Sequence, residues 1–293
     1  MSEVPDRPAR RELAQASPVL SRMMLGRALR VLREQVGISP ERACEAIRVP
    51  VSGIDGLERG RSGLRLRDVA DLCVLYGVTD HHQRATLLGM ADLANMPEWW
   101  HAYRDVIPGW FEPYLGLEQA ASLIRGYETG FIPGLLQTPA YARVLISHGT
   151  SPGPVIERRV ELRMRRQQLL GRLRRPRLWM LIDEAALRRV VGGRALMAGQ
   201  LRHLLEACDI PDVTIQVLSF RGRRHFAEIP FTLLRLPERD LPDVIYLEHP
   251  TNAVYLDRPG DLPWYLHMMN LLTVEAEPAD ATPDILSRFL GDL

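Results

Sequence analysis

The strongest constraint on the fold is the close spacing of helix start and stop signals at the beginning of the chain. Ser39-Pro40-Glu41 combines an N-cap hydroxyl, a proline at the first helical position and an acid in the first turn. Gly37 and Gly77 are typical residues after the end of a helix, and Thr79 is a further N-cap. These signals predict five short helices, at about residues 21–36, 40–47, 50–57, 66–76 and 80–90.

Two of these helices, 40–47 and 50–57, are very short and are separated only by a tight turn at Arg48-Val49. Two short helices joined in this way follow the helix-turn-helix plan, in which the second helix enters the major groove of DNA. The sequence therefore predicts an α-helical N-terminal domain built on a helix-turn-helix. A helix-turn-helix that serves only for dimerisation or packing is the alternative.

The stretch at residues 25–78 resembles the XRE (Cro/repressor-like) regulators. The resemblance rests on Gly37-Ile38-Ser39 before the first short helix and on Leu57-Glu58-Arg59-Gly60 after the second. It implies operator DNA as the partner, DNA contacts at residues 49–54 and a phosphate contact from Arg59. The turn position that usually holds glycine is Arg48 here, and the second helix offers one hydroxyl, at Ser52, to the bases. The residues predicted to bind DNA are Ser39, Ser52, Gly53, Asp55, Arg59 and Arg61.

The remainder of the chain resembles the C-terminal domain of a large actinobacterial group of XRE regulators that is described as antitoxin-like. This resemblance implies a transcription regulator, often encoded beside a small partner protein. The matching stretches are Trp99-Trp100, Leu117-Glu118, Tyr127-Glu128, residues 133–138, Tyr141-Ala142, residues 183–187, Gln200-Leu201 and residues 213–217, 231–234 and 244–248.

Charge is distributed unevenly behind a formal net charge of +1. Residues 157–224 carry a net charge of +9, whereas residues 225–293 carry −8. All 37 basic residues are arginine. The chain therefore lacks the lysine that a Walker P-loop, a Schiff base or a pyridoxal phosphate anchor requires.

Nine arginines and a single acid lie in residues 158–177, with a short apolar stripe at Ile156, Val160 and Met164. The pattern predicts a helix that packs on one side and is cationic elsewhere. One interpretation is a solvated face, or a partner for the acidic residues 225–293. The other is a phosphate-binding surface for DNA or RNA. The candidate phosphate ligands are Arg163, Arg166, Arg174 and Arg175.

After residue 177 the hydrophobic period changes from that of a helix to that of strands. Apolar runs at 178–182 and 213–218, with helices at 184–191 and 194–208 between them, predict a parallel βαβ unit. Further strands are predicted at 231–236, 244–248 and 253–256, and helices at 261–274 and 282–290. The fold class is thus an α-helical helix-turn-helix domain followed by an α/β domain with a small, mostly parallel sheet.

Four segments are predicted along the chain. A mobile tail at 1–18 precedes the helix-turn-helix domain at 19–95. A connector rich in aromatic residues, at 96–150, includes a predicted helix at about 117–127. The α/β domain, which binds a ligand or a partner, follows at 151–293.

Ligands of open α/β sheets bind beyond the carboxyl ends of the strands. Asp183 follows one predicted strand, and Tyr246 and Glu248 end another. These residues are not catalytic in the leading hypothesis of a DNA-binding regulator, in which the adjacent Glu184 caps the next helix with its charge and Glu248 ends a strand at the surface. In the alternative hypothesis Asp183, Tyr246 and Glu248 catalyse proton transfer in a tRNA-dependent enzyme that loosely resembles the cyclodipeptide synthases, with the four arginines holding the tRNA.

Several classes of site and location are excluded as expectations. The cysteines are three and far apart, and no histidines have metal-ligand spacing, so we expect neither a metal nor a cofactor. No apolar run approaches the roughly 18 residues of a membrane span, and no signal peptide is recognisable. We expect a cytoplasmic homodimer.

Overall fold

The start and stop signals at the beginning of the chain produce helices close to where the sequence predicts them. A computed structural model describes residues 17–149, 152–220 and 229–293, and the chain divides into two compact units, Met1–His101 and Ala102–Leu293. Most of the predicted tail, residues 1–16, lies outside the described residues. In the described part of the first unit the helices are α1 (Pro18–Gln35), α2 (Pro40–Ile47), α3 (Val51–Glu58), α4 (Leu66–Leu75) and α5 (His81–Ala94).

N-cap side chains fix where these helices begin. The hydroxyl of Ser39 accepts a hydrogen bond from the backbone N–H of Arg42 at 3.3 Å, so the predicted cap of α2 is confirmed. The prediction of Thr79 as the cap of α5 is wrong. Asp80 takes this position and accepts a hydrogen bond from the backbone N–H of His82 at 2.7 Å. A carboxylate is the better acceptor there, because the amino end of a helix carries partial positive charge.

Apolar side chains from all of these helices form one core, which a buried ion pair ties together. The Arg33 guanidinium of α1 donates to both carboxylate oxygens of Glu58 at the end of α3, at 2.6 and 2.9 Å. It also donates to the backbone oxygen of Ile38 at 3.0 Å, between α1 and α2. One side chain thus fixes three elements. The core includes Leu25, Leu29, Ala43, Cys44, Ile47, Ile54, Leu57, Val69, Leu72 and Cys73.

Two glycines allow α1 to approach the end of α3 more closely than any side chain would permit. A Cβ atom at Gly26 would lie 2.4 Å from the backbone oxygen of Leu57. A Cβ atom at Gly60 would lie 2.5 Å from the Cα atom of Met23, and Gly60 also has a φ of +68°. Substitution of either glycine would force these backbones apart.

The turn between α2 and α3 holds an arginine in a conformation that favours glycine. Arg48 has φ 57° and ψ 47°, in the left-handed region, and ends α2. A residue with a Cβ atom pays roughly 1–2 kcal/mol for this conformation. The tight turn that the sequence predicts is therefore present, but it is formed with strain.

We predict that Arg48→Gly stabilises the first unit by about 1 kcal/mol. Glycine removes the energetic cost of the left-handed conformation, but it also increases the conformational entropy of the unfolded chain, which offsets part of this stabilisation. The matched control is Glu45→Gly, three residues earlier within α2, which should destabilise the unit by about 1 kcal/mol. Urea denaturation followed by circular dichroism measures both changes. A lower midpoint for Arg48→Gly would show that the turn is not strained.

In the described part of the second unit, six strands form one sheet in the order β3-β2-β1-β4-β5-β6. The β1–β2 and β2–β3 pairs are parallel, and the other three pairs are antiparallel. The strands are β1 (Leu123–Glu128), β2 (Arg177–Asp183), β3 (Val213–Leu218), β4 (Phe231–Arg235), β5 (Val244–Glu248) and β6 (Ala253–Leu256).

The predicted α/β class is confirmed, as is the parallel pairing of the strands that begin near residues 178 and 213. The description of the sheet as mostly parallel is imprecise, because only the β1–β2 and β2–β3 pairs are parallel. Strands β4, β5 and β6 follow one another through short connections, and such connections join antiparallel neighbours.

The predicted helix at about 117–127 is wrong in its second half. The helix α6 (Glu112–Ala120) ends earlier, and the following residues form β1, which lies between β2 and β4 in the middle of the sheet. Gly126 pairs with Met180 of β2, whose Cε atom would lie 2.3 Å from a Cβ atom at Gly126. Strand β1 thus belongs to the sheet although it lies in the predicted connector, and the four segment boundaries stay predictions.

Helices cover both faces of the sheet. The apolar side chains of Tyr127, Leu181, Leu233 and Ile245 form one face, which packs with Met269 of α11 (Leu262–Glu275). Among residues 17–149, 152–220 and 229–293 we find no helix with the length and hydropathy of a membrane-spanning segment. The other helices of this unit are α7 (Pro139–Ser147), α8 (Gly153–Gln167), α9 (Glu184–Arg188), α10 (Arg194–Cys208) and α12 (Thr282–Gly291), and short 3₁₀ helices span Gly134–Leu136, Gln168–Gly171 and Ala279–Ala281.

Candidate functional site

The residues predicted to contact DNA lie on and around the two short helices of the first unit. Ser39 begins α2, the residues Ser52, Gly53 and Asp55 lie on α3, and Arg59 and Arg61 follow its end. Ile54 and Leu57 point from α3 into the core, whereas Asp55 is exposed. The helix therefore has one buried side and one open side, as a helix that enters a groove requires.

Several of the predicted DNA ligands, Ser39, Asp55 and Arg59 among them, already have partners within the protein. Arg59 donates from Nε to Asp55 Oδ1 at 2.8 Å, which compensates the acid on the open side of α3. The Ser39 hydroxyl is engaged by the Arg42 amide as the cap of α2. The open side of α3 thus carries little net charge, and the phosphate contacts would come from the residues at its edges.

The arginine-rich segment is largely bound to its own domain. Arg158 donates to Asp105 at 2.7 Å, and Arg172 donates to the side chain of Gln119. Arg175 lies 3.6 Å from Asp212. These acids and amides lie outside residues 225–293, so the described ion pairs of the segment are formed with another part of the chain than the predicted acidic block.

The four predicted phosphate ligands differ in exposure and in their partners. Arg174 is exposed, and Arg175 donates to the backbone oxygen of Leu170 at 3.2 Å. Arg163 is half-buried and donates to Gln137 Oε1 at 2.8 Å. Arg166, on α8, is buried. Phosphate binding by these residues stays a prediction.

Arg166 forms a buried bidentate ion pair with Glu118 of α6. The two bonds measure 2.7 and 2.9 Å, and no part of Glu118 is exposed. The guanidinium also lies over the rings of Phe111 and Tyr114, at 5.1 and 5.5 Å from their centroids. Burial lowers the pKa of Arg166, but the Glu118 carboxylate outweighs this effect and holds the pKa above its usual range. Arg166 is therefore fully engaged by these groups.

The strand register places two further glutamates on one face of the sheet. Gly126 pairs with Thr232, and Thr232 pairs with Tyr246, so these three residues share one face of the sheet. Side chains alternate along a strand, so Glu128 and Glu248, each two residues further on, lie on that face as well. Both end their strands at the same edge, since β4 runs antiparallel to β1 and to β5.

Two of the residues that the sequence proposes for proton transfer are joined, and the third is separate. The Tyr246 hydroxyl donates to Glu248 Oε2 at 2.9 Å, and its ring packs against that of Tyr114, tilted by 35° with the centroids 4.2 Å apart. Burial, and then the neighbouring Glu248 carboxylate, raise the pKa of Tyr246. Asp183 instead accepts a hydrogen bond from the Ala185 amide at 2.8 Å and caps α9.

Glu128 is a residue of this site that the sequence interpretation missed. It is half-buried among protein atoms, and burial raises its pKa to about 8, with a further contribution from Glu248. The Arg163 guanidinium acts in the opposite direction. Among the described residues the side-chain carboxylate of Glu128 forms no hydrogen bond and no ion pair. The signal that could identify it is an acid at the end of a strand, but the sequence predicts a helix over the residues before it.

Arg163 is the counterpart of Glu128 on α8. Burial lowers its pKa to about 10, and the nearby Arg166 lowers it as well. Its described bond to Gln137 is to a neutral amide, and no acid of the described residues lies within 4.0 Å of it. The site thus contains an acid and a base that influence each other's pKa without contact.

The second unit also contains a groove that is lined by none of the glutamates described above. An open groove of about 530 Å³ is lined by Leu135, Leu170, His203, Glu206 and Ile210, with Arg175 as the one predicted site residue among its lining. In the described residues no group of three or more His, Cys, Asp and Glu side chains is arranged to hold a metal ion.

Comparison with known protein families assigns both units to recognised groups. Residues 24–87 match a family described as a helix-turn-helix domain. Residues 111–288 match the family described as "Domain of unknown function (DUF5753)", which covers more than half of the chain, and the chain belongs to this family. The helix-turn-helix domain defines a DNA-binding regulator with DNA as its partner. No curated protein and no solved structure matches the chain.

We predict that Glu118→Gln destabilises the second unit by about 3–5 kcal/mol, because it leaves the Arg166 charge buried without a counter-charge. The control is Glu157→Gln, which breaks a bidentate pair with Arg143 of similar geometry, 2.6 and 2.7 Å, at the exposed surface. Solvent already compensates that pair, so little change is expected. Denaturant unfolding gives the change in the free energy of unfolding for each variant. Equal changes for Glu118→Gln and Glu157→Gln would contradict the stated role of the buried pair.

We predict that Glu128→Gln stabilises the protein increasingly as the pH rises from about 5 to about 8. An acid whose pKa is raised in the folded state binds its proton more tightly there than in the unfolded chain, so the wild type loses stability across this window. The glutamine variant has no such loss, and the difference should reach a few kcal/mol.

The measurement is the free energy of unfolding of both proteins at a series of pH values. The charged and titratable groups that face Glu128 are Glu248, Arg163 and Tyr141, and all three are unchanged in the variant. Glu277→Gln, at an exposed acid of the same unit, is the control and should show no pH-dependent difference. A constant difference between wild type and Glu128→Gln would rule out the raised pKa.

Proposed function

We propose that this protein is a DNA-binding transcription regulator of the XRE type that binds its operator as a homodimer. In this proposal the second domain is antitoxin-like and controls DNA binding by sensing a small ligand or a small partner protein. The observation that carries the proposal is the open side of α3, which is held above a core by the Arg33–Glu58 pair and the Gly26 contact. Rigid presentation of a short helix is what insertion into a groove requires.

The chemistry of α3 favours recognition through the DNA backbone over extensive reading of bases. The open side offers few groups for bidentate base contacts, and its one acid is paired with Arg59. Ser39, Arg59 and Arg61 flank the helix and suit phosphate contacts. Sequence preference would then depend on Ser52, on the close backbone approach at Gly53, and on the shape of the DNA.

The homodimer and the second domain complete the proposal. A single short helix contacts few base pairs, and two copies related by twofold symmetry would double the contact on a palindromic operator. In this proposal a ligand acts on the second domain near the carboxyl ends of its strands, where ligands of open α/β sheets bind. A small protein encoded nearby is the other candidate effector.

A tRNA-dependent enzyme is the second candidate, and the hydrogen bond between Tyr246 and Glu248 is the observation in its favour. The engagement of Arg166 by Glu118 argues against it, since this arginine is not available to an acceptor stem. Purification of the full chain from a host, followed by sequencing of any bound nucleic acid, separates the two. Salt-sensitive retention of tRNA would favour the enzyme, and enrichment of a palindrome would favour the regulator.

We predict that Arg59→Gln weakens binding to operator DNA and reduces the slope of log Kd against log salt by about one, because one phosphate contact is lost. Arg30→Gln is a closely matched control. Arg30 forms a pair with Glu34 of the same spacing and the same 2.8 Å length, but on α1. Fluorescence anisotropy with DNA from upstream of the gene gives both slopes. If the two variants have the same slope, Arg59 does not bind phosphate.

A further inference from the structure

An apolar side chain in full contact with solvent stands beside the groove of the second domain. Leu173 follows the short 3₁₀ helix Gln168–Gly171 and is 101% exposed, so no described part of the chain covers its side chain. The groove of about 530 Å³ includes Leu170, three residues earlier, and Arg175, two residues later. Three residues span at most about 10 Å, so Leu173 stands at the rim of the groove.

The floor of this groove is apolar and its rim is acidic. Leu136, Leu170 and Ala207 are buried residues of its lining. Glu206 and Asp209, which also line it, are exposed. A partner that fits the groove therefore presents an apolar side chain between cationic groups, because the floor excludes charge and the rim attracts positive charge.

The basic residues of the lining do not cancel the acidic rim. Arg175 lies 3.6 Å from Asp212, so its charge is already compensated. His203 lies 3.7 Å from Glu206 and is charged only when it is protonated. Even a protonated His203 would leave a negative charge in excess, because Glu206 and Asp209 are both acids.

Leu173 has the surroundings that this groove calls for. Its chain neighbours Arg172 and Arg174 are both exposed. The described hydrogen bond of Arg172 goes to the neutral side chain of Gln119, which does not compensate the guanidinium charge. The chain thus carries an apolar side chain between two cations at the rim of an apolar groove between two acids.

We propose that the groove binds Leu173 of a second copy of this chain, so that two copies form a twofold dimer through this surface. The leucine of each copy inserts into the groove of the other copy. Arg172 and Arg174 on either side of the leucine then meet Glu206 and Asp209 at the rim. The inference rests on the proposed homodimer and identifies a surface through which it forms.

The position of the two complementary parts favours a second copy over a different partner. In a twofold interface the same patch is used on both copies, so the patch must be complementary to itself. Leu173 and the groove meet this condition because they lie side by side, and the exchange of two leucines closes the assembly at two copies. Parts on opposite sides of the domain would instead join copies into an open filament.

The first test is sedimentation equilibrium of the full chain as wild type and as Leu173→Asp. We expect the wild type to dimerise and the variant to associate at least about tenfold more weakly, because a carboxylate would enter an apolar floor with an acidic rim. The melting temperature of the monomer should not fall, since Leu173 packs against no described part of its own chain. Val274→Asp, at a valine of the same domain that is 84% exposed, is the matched control and should associate as the wild type does.

Charge reversal tests whether the partner is a second copy. Arg174→Glu and Glu206→Arg should each weaken self-association at least about tenfold, because each variant places like charges opposite each other in both halves of the dimer. A mixture of the two variants should form a dimer again, since both contacts of the mixed pair then join opposite charges. A local structural role of either residue would not be repaired by mixing.

Three results would overturn the inference. These are a monomeric wild type, which would leave the groove to a partner of another kind, self-association that Leu173→Asp leaves unchanged, and charge variants that do not associate when mixed. Binding to DNA from upstream of the gene is measured on the same preparations. A Leu173→Asp variant that still dimerises and binds this DNA would reject the surface and keep the regulator. Dimers that depend on Leu173 in a protein that binds no DNA would keep the surface and reject the regulator.

Discussion

Each unit of this protein depends on a buried bidentate pair between an arginine and a glutamate. In the first unit Arg33 and Glu58 join α1 to the end of α3, and in the second Arg166 and Glu118 join α8 to α6. Such a pair contributes modestly when it is complete, but the loss of one partner is costly because a charge is left without water or counter-ion. In a chain without lysine, the planar guanidinium is the one long cationic group that can meet this requirement.

The Arg166–Glu118 pair in the second unit also determines which charged side chains near it have no partner of opposite charge. Because Glu118 occupies both sides of the Arg166 fork, the neighbouring Arg163 has no acid of its own. Glu128, which comes from a strand and not from a helix, is likewise left without a partner. The charged groups of this region are thus divided into the Arg166–Glu118 pair, which supports the fold, and residues such as Glu128 and Arg163, which have no opposite charge within 4.0 Å among the described residues.

The sequence predicted the parts of the fold that local signals control. The observed ends of α2, α3 and α4 lie within a few residues of the predicted ends. The five strands β2 to β6 of the second unit coincide with apolar runs in the sequence. It failed at β1, since residues 123–127 become a strand through burial between β2 and β4, which no local pattern reveals. Glu128 was missed for the same reason.

The arginine-rich segment illustrates a second limit. A count of charges at residues 158–177 predicts a cationic surface, but the count contains no information on partners. Asp105, Glu118 and Asp212 lie far away in sequence, and only the folded chain brings them to these arginines. A positive block in a sequence therefore describes an exposed surface only after its internal ion pairs have been subtracted.

The strand order has a consequence for the synthesis of the protein. The sheet grows outward from β1 in both directions, first through β2 and β3 and then through β4, β5 and β6. One edge of β1 consequently stays open on the ribosome until residues 231–235 have been made, because β4 is its partner there. An open edge of a central strand can pair with a neighbouring nascent chain, so slow translation and chaperone binding over this interval would decide the yield of folded protein.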